Sequence, residues 1–89
     1  MTIRHRVVVH GFVQGVYFRE SVRRRAVAAS VSGWVRNNRD GTVEAVFEGE
    51  PEAVEQLVAF CREGPRGAQV GRVDVSVEDQ EALDGFTIG

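Results

Sequence analysis

The stretch VSGWVRNNRDGTVEAVFE at residues 31–48 predicts a β-hairpin and decides the fold. Two β-type segments, Val31 to Asn37 and Thr42 to Glu48, flank residues 38–41, where Asp40-Gly41 supplies a turn position able to adopt a positive φ. In the second segment three apolar side chains share odd parity: Val43, Ala45 and Phe47. We expect this odd face to pack on helices and the opposite face to be mostly solvated.

Helical patterns lie on both sides of the hairpin. Before it, four apolar residues recur on one helical face and predict an amphipathic helix that ends near Ser30: Phe18, Val22, Ala26 and Ala29. After it, Pro51 suits a first helical position and Gly64 suits a C-cap. The apolar spacing between these two residues predicts a second helix from Pro51 to Glu63: Val54, Leu57, Val58 and Cys61.

Further strands are predicted toward both ends of the chain. Residues 3–10 are rich in Val and Ile, and Gly11 then interrupts the pattern. Alternating valines at 73, 75 and 77 predict a fourth strand, and residues 86–88 a short last one. The order predicts an α+β, ferredoxin-like βαββαβ sandwich, with an antiparallel sheet, two helices on one face and a short extra C-terminal strand. This fold hosts enzymes, RNA binders and metal carriers, so it does not name a function.

Composition narrows the possible functions. The 89 residues, 43% of them hydrophobic, are expected to form one domain over 1–89, and we expect a monomer. The longest aliphatic run, Val7 to Val9, is too short for a membrane span or a secretory leader, so we expect a cytoplasmic protein without membrane contact. Cys61 stands alone and the two histidines are isolated, which excludes a disulfide framework and zinc-ligand spacing.

The charged residues also exclude several functions. A net charge of −2 argues against a protein whose main task is nucleic-acid binding. All 11 basic side chains are arginine, so neither Schiff-base chemistry nor a P-loop lysine is available. If the chain binds phosphate, arginine and backbone amides must do so.

The segment HGFVQGVYFR at residues 10–19 joins the first predicted strand to the first helix. A helix N-terminus presents unpaired N–H groups and about half a positive charge, so a loop folded over it can surround a phosphate. Gly15 would let the backbone approach the phosphate closely, and the guanidinium of Arg19 would donate two hydrogen bonds to its oxygens. The alternative is that the glycines only turn the chain and that Arg19 is a solvated helix residue.

Two motifs together, GFVQGVYFR at 11–19 and GWVRNNRDGTV at 33–43, resemble the paired signatures of the acylphosphatase family, and the likeness continues to residues 86–88. The resemblance implies a ferredoxin-like enzyme that hydrolyses acyl phosphates without a cofactor. It also implies that Arg19 binds phosphate, that Asn37 orients the attacking water, and that a backbone cradle spans Gln14, Gly15, Val16, Tyr17, Phe18 and Arg19. Val22 departs from the threonine that relatives often carry, which removes a hydroxyl near the loop.

Several alternatives remain open. Asn37 precedes the hairpin turn and would equally serve as a cap for that turn. Arg23-Arg24-Arg25 is interpreted as a solvated helix face, with RNA binding as the alternative. For the whole chain, the competing hypotheses are a non-catalytic anion- or RNA-binding module and a carbamoyl-phosphate domain like that of hydrogenase-maturation carbamoyltransferases. Phosphate release from an acyl phosphate separates an enzyme from a binding module.

Overall fold

Five strands form one sheet, and two helices cover one of its faces. The computed structural model describes all residues from Met1 to Gly89. The elements, in chain order, are β1 (Ile3–Phe12), α1 (Phe18–Ala28), β2 (Ser32–Asn37), β3 (Val43–Gly49), α2 (Pro51–Glu63), β4 (Gln69–Glu78) and β5 (Phe86–Ile88). The strands lie in the order β4-β1-β3-β2-β5, so the predicted βαββαβ arrangement is confirmed.

The sheet is mixed rather than fully antiparallel. The β1–β3, β1–β4 and β2–β3 pairs are antiparallel, as predicted, whereas β5 runs parallel to β2 with Gly33 opposite Phe86. The N–H of Gly89 donates to the carbonyl of Val35 at 2.8 Å and continues this pairing beyond β5. A strand of three residues carries no sequence signal for its direction, since the segment before it sets that direction.

Gly11 does not end the first strand, contrary to the prediction. β1 continues to Phe12 through an irregularity at which His10 pairs with Arg72 and Gly11 pairs with Val70. Gly11 has a φ of 131°, and a Cβ there would lie 2.2 Å from the carbonyl oxygen of Gln69. Only glycine therefore allows the two strands to approach this closely, and the irregularity lets pairing continue up to the loop that enters α1.

Both helices bury the predicted faces. α1 buries Phe18, Val22 and Ala26 and ends at Ala28, so the fourth predicted residue, Ala29, is its C-cap and is only partly buried; α2 buries all four of its predicted core residues. The bounds of α2 match the prediction because both signals are local: Pro51 occupies the first turn, and Gly64 follows the last residue with a φ of 78°. Cys61 is fully buried, and burial raises the pKa of its thiol to about 12, as expected for a core residue.

The helix-free face of β3 is buried, so the prediction of a mostly solvated face is wrong. Glu44 is only 9% exposed and Glu48 only 4% exposed. Arg6 and Arg36 both pair with Glu44, whereas Arg4, itself 3% exposed, lies beside Glu48. These arginines come from neighbouring strands, so the periodicity of β3 alone does not reveal that its charged side chains are covered.

The carboxylate of Glu48 also holds the segment that leads to β5. It accepts the backbone N–H groups of Glu81 at 2.8 Å and Leu83 at 2.9 Å. These hydrogen bonds, together with nearby Arg4, hold the pKa of Glu48 below its ordinary value. Glu48 thus anchors the chain between β4 and β5 against the centre of the sheet.

We expect the stability of the protein to depend on the charge of Glu48. A carboxyl whose folded pKa is depressed contributes stability that is present above its unfolded pKa, about 4.3, and is lost as the pH falls through the lower folded value. Glu48→Gln should lower the free energy of unfolding at pH 7 by about 2 kcal/mol, as for a hydrogen-bonded charged group, and flatten its decline below pH 4.3. Urea unfolding against pH measures this, with exposed Glu55→Gln as control; equal profiles for both variants would contradict the assignment.

Candidate active site

Residues 13–17 form the loop between β1 and α1. Gly15 has a φ of 75°, and Tyr17, the N-cap residue of α1, adopts the left-handed conformation with a φ of 61°. No side chain caps the N-terminus of α1. The loop therefore turns the chain tightly and leaves the first turn of the helix open to a ligand.

The backbone amides of this loop have no acceptor within the protein. None of the N–H groups from Gln14 to Glu20 donates to a backbone carbonyl, and the first in α1 that does is Ser21, to the carbonyl of Tyr17 at 3.0 Å. A row of free donors at the positive end of a helix is a site for an anion. This arrangement is the one expected of the predicted backbone cradle.

A cavity of about 460 Å³ lies against the loop and brings Arg19 and Asn37 together. Gly15, Tyr17 and Phe18 of the predicted cradle also line it, whereas Gln14 and Val16 do not. The remaining lining residues are Val13, Glu20 and Ile88. The two predicted functional side chains, which come from α1 and from the end of β2, therefore face one space.

Arg19 keeps its charge available within this cavity. Its Nη1 donates to the main-chain oxygen of Gly89 at 3.3 Å, and it forms no ion pair with an Asp or Glu side chain. Arg23, one turn later, instead pairs with Glu20. The Gly89 contact holds one nitrogen of the Arg19 guanidinium and leaves other N–H donors of the fork for an anion.

The side chain of Asn37 makes no hydrogen bond within the protein, so the turn-cap alternative is not supported. The hairpin turn is closed by Asp40, whose Oδ1 accepts the N–H of Thr42 at 3.0 Å and the hydroxyl of Thr42 at 2.7 Å. Asn38 Nδ2 donates to Thr42 Oγ1 at 3.0 Å. Because its neighbours complete the turn, the amide of Asn37 is free to hold a ligand or a water molecule.

Gln14 has a role that the sequence did not indicate. Its side-chain Nε2 donates to the carbonyl oxygens of Asn38 at 2.7 Å and Thr42 at 3.0 Å. Gln14 thus fixes the loop to the hairpin that carries Asn37. A long amide side chain within a glycine-bounded loop was the only signal, and it does not specify a partner.

Comparison with known proteins identifies the family. The acylphosphatase family model matches residues 5–88. The chain belongs to the acylphosphatase family. An acylphosphatase from Pelotomaculum thermopropionicum is 52% identical over 96% of this chain and 94% of its own length.

Solved acylphosphatase structures have the same fold. The structure from Coxiella burnetii superposes with a TM-score of 0.94 at 38% identity and covers 99% of this chain and 93% of its own. The structure from Bacillus subtilis also has a TM-score of 0.94, at 33% identity, over 100% of this chain and 99% of its own. The ferredoxin-like fold predicted from the sequence is therefore that of acylphosphatases.

Glu20 is the one acidic residue that lines the acylphosphatase cavity. Its carboxylate accepts hydrogen bonds from Arg23 and lies 3.7 Å from Arg24. The bonds from Arg23 are the main reason that the pKa of Glu20 is lower than usual. A carboxylate in this state is a poor proton acceptor and is not suited to act as a general base.

No group of three or more His, Cys, Asp and Glu residues is placed to hold a metal ion. Neither helix has the length and the apolar composition needed to cross a membrane.

We expect Gln14→Ala to disturb both sides of the cavity. Loss of the two hydrogen bonds to the hairpin would free the loop to move relative to Asn37, while each of the two carbonyl oxygens keeps one backbone donor within the turn. The free energy of unfolding should fall by about 1–3 kcal/mol, and kcat for an acyl phosphate by about tenfold. Urea unfolding and steady-state kinetics measure the two effects. Gln80→Ala, which removes an exposed glutamine between β4 and β5 that donates to the carbonyl of Thr2, is the control. A fall in stability with unchanged kcat would contradict the positioning role.

Proposed function

We propose that this enzyme, an acylphosphatase, hydrolyses the carboxyl–phosphate bond of acyl phosphates at the cavity that Arg19 and Asn37 share. The products are a carboxylate and inorganic phosphate. One observation carries the assignment of the site: both side chains face a single cavity beside a row of backbone N–H groups without acceptors. In this assignment the loop binds the phosphoryl group, and the end of β2 supplies the residue that orients water.

Binding of the phosphoryl group needs positive charge and donors in a fixed geometry. The amides of residues 14–19 would donate to its oxygens at the positive end of α1, and Arg19 would donate two further charge-assisted hydrogen bonds. Charge that develops on the equatorial oxygens in the transition state would meet donors that are already oriented. The position of Arg19 in the first turn of α1, held by Gly89, supports this role.

The attacking group in this proposal is a water molecule held by Asn37. The amide of Asn37 offers both an acceptor and donors, and no protein group occupies them. An acyl phosphate already has a good carboxylate leaving group, so catalysis requires mainly positioning and charge neutralisation. The proton of the water would pass to the departing carboxylate or to a phosphate oxygen, with no metal or other cofactor involved.

The substrate and surroundings of the enzyme follow from the same site. The proposed contacts bind the phosphoryl group and make little contact with the acyl group. Several small acyl phosphates should therefore react. We propose that the enzyme is a monomer. We also propose that it acts in the cytoplasm and without a nucleic-acid partner.

An RNA-binding module is supported less well. RNA-binding sheets of this fold present aromatic side chains on which bases stack. Here the helix-free face presents Trp34, whose ring centre lies 5.4 Å from the guanidinium of Arg6 and 4.9 Å from that of Arg36. Both arginines also pair with Glu44. Stacking of a base would require these contacts to break.

Hydrolysis of benzoyl phosphate in water enriched in ¹⁸O tests the proposal. If water attacks phosphorus, the label should appear in phosphate and be absent from benzoate. Mass spectrometry of both products measures this. The double variant that combines Arg19→Gln and Asn37→Ala provides the background rate. Label in benzoate, or phosphate release at the background rate, would refute the proposed reaction. The experiment is run after treatment with a chelator, which should leave the rate unchanged.

A further inference from the structure

A second cavity lies on the helical face, separate from the active site. This groove of about 350 Å³ lies between α1 and the loop that follows α2. Its lining residues are Ser21, Arg24, Arg25, Phe60, Pro65 and Arg66, and none of them lines the active-site cavity. We call it the arginine groove. Its volume is within the range of small-molecule sites.

The three arginines of the groove have little compensation by acidic residues. None of the lining residues is acidic. Arg24 lies 3.7 Å from Glu20, whose hydrogen bonds go to Arg23, and Arg66 forms no ion pair. The chain as a whole has a net charge of −2, so this positive cluster is a local feature. Like charges that share one groove repel each other, and a bound anion would relieve that repulsion.

One arginine of the groove, Arg25, is held in place by an aromatic side chain. The guanidinium of Arg25 lies 4.0 Å from the centre of the Phe60 ring, and the Phe60 and Phe18 rings are 6.2 Å apart. Stacking on an aromatic ring restrains the guanidinium and leaves its edge N–H groups free to donate. Arg25 is therefore oriented before any ligand binds, which lowers the entropic cost of binding.

We propose that the arginine groove binds a small molecule with two or more phosphoryl groups, at a site distinct from the active site. Planar guanidinium forks match phosphoryl oxygens, and three of them around one groove suit a ligand with several such groups. The ligand is held by charge, since Phe60 is the one large apolar side chain in the groove and Arg25 already covers it. The proposal does not depend on the reaction at the active site.

Titration of ¹⁵N-labelled protein with tripolyphosphate at constant ionic strength tests this site. The amides of Arg25 and Phe60 report on the groove, and those of Gly15 and Val16 report on the active-site loop. Arg66→Gln should weaken tripolyphosphate binding at the groove about tenfold, as for loss of a charge-assisted contact. Arg62→Gln removes an exposed arginine four residues away, outside the groove, and should change binding less than twofold.

Three results would overturn the proposal. One is equal weakening by Arg66→Gln and Arg62→Gln, which would indicate a general charge effect. Another is a response confined to Gly15 and Val16, which would place the ligand in the active site alone. The third is tighter binding of a single-stranded RNA oligonucleotide that Arg66→Gln abolishes, which would make the groove a nucleic-acid site. Hydrolysis of benzoyl phosphate by Arg66→Gln should equal that of the wild type, since Arg66 does not line the active-site cavity.

Discussion

Replacing Arg19 with glutamine is expected to lower kcat/KM for benzoyl phosphate by about 10³-fold. The substitution removes the side-chain charge from the cavity while the amides of residues 14–18 remain. Loss of two charge-assisted hydrogen bonds in the transition state costs roughly 3–6 kcal/mol, and each 1.36 kcal/mol is a factor of ten in rate. Since charge grows on the phosphoryl oxygens during the reaction, we expect kcat to fall as well as KM to rise.

Two further variants separate the fork of Arg19 from its charge. Arg19→Lys retains a positive charge but donates from a single point, so it should lose about 10²-fold. Arg23→Gln is the matched control, because Arg23 lies one turn later on α1 and pairs with Glu20 but does not itself line the cavity. Its kcat/KM should stay within a few-fold of the wild type. Equal losses in Arg19→Gln and Arg23→Gln would mean that Arg19 acts only through the overall charge of α1.

The parts of the fold that the sequence predicted well are those with local signals. The bounds of α2 follow from Pro51 and Gly64, which act on the backbone at their own positions. The helix-facing side of β3 follows from the alternation of Val43, Ala45 and Phe47. Each of these signals lies within the element that it describes, so no knowledge of distant residues is needed.

The errors concern pairs that are distant in sequence. Glu44 is covered by Arg6, which lies 38 residues earlier, and no property of β3 reveals that partner. The extension of β1 past Gly11 depends on the backbone of the neighbouring strand, β4. In both cases the sheet brings the partner into place, and strand periodicity contains no information about it.

The candidate site divides in the same way. Residue type and a position at the start of a helix made the Arg19 loop a candidate anion site, because the helix N-terminus is itself a local feature, and the resemblance to the acylphosphatase family then implied the role of Arg19. The link from Gln14 to the hairpin joins residues 24 and 28 positions apart, so it became visible only in the structure. The choice between a cap and a ligand role for Asn37 likewise required the contacts of Asp40 and Thr42.

Replacing Asn37 with alanine is expected to lower kcat about 10²-fold with little change in stability. The side chain makes no hydrogen bond within the protein, and Asp40 closes the turn without it. Its loss would leave the attacking water without orientation, and removal of one preorganised polar group from a transition state typically costs 10²–10³ in rate. Because the phosphoryl group would still meet Arg19 and the amides, KM should change by less than about threefold.

The neighbouring asparagine provides the matched control for this prediction. Asn38 donates to Thr42 Oγ1 at 3.0 Å and to Glu44 Oε1 at 3.2 Å, and it does not line the cavity. Asn38→Ala should therefore lower the free energy of unfolding by about 1–3 kcal/mol and leave kcat within a few-fold of the wild type. Asn37→Ala is thus expected to lower kcat and leave stability nearly unchanged, whereas Asn38→Ala is expected to lower stability and leave kcat nearly unchanged. If Asn37→Ala instead destabilised the protein and kept its kcat, Asn37 would be a residue of the turn, and the water would have to be held by another group of the cavity.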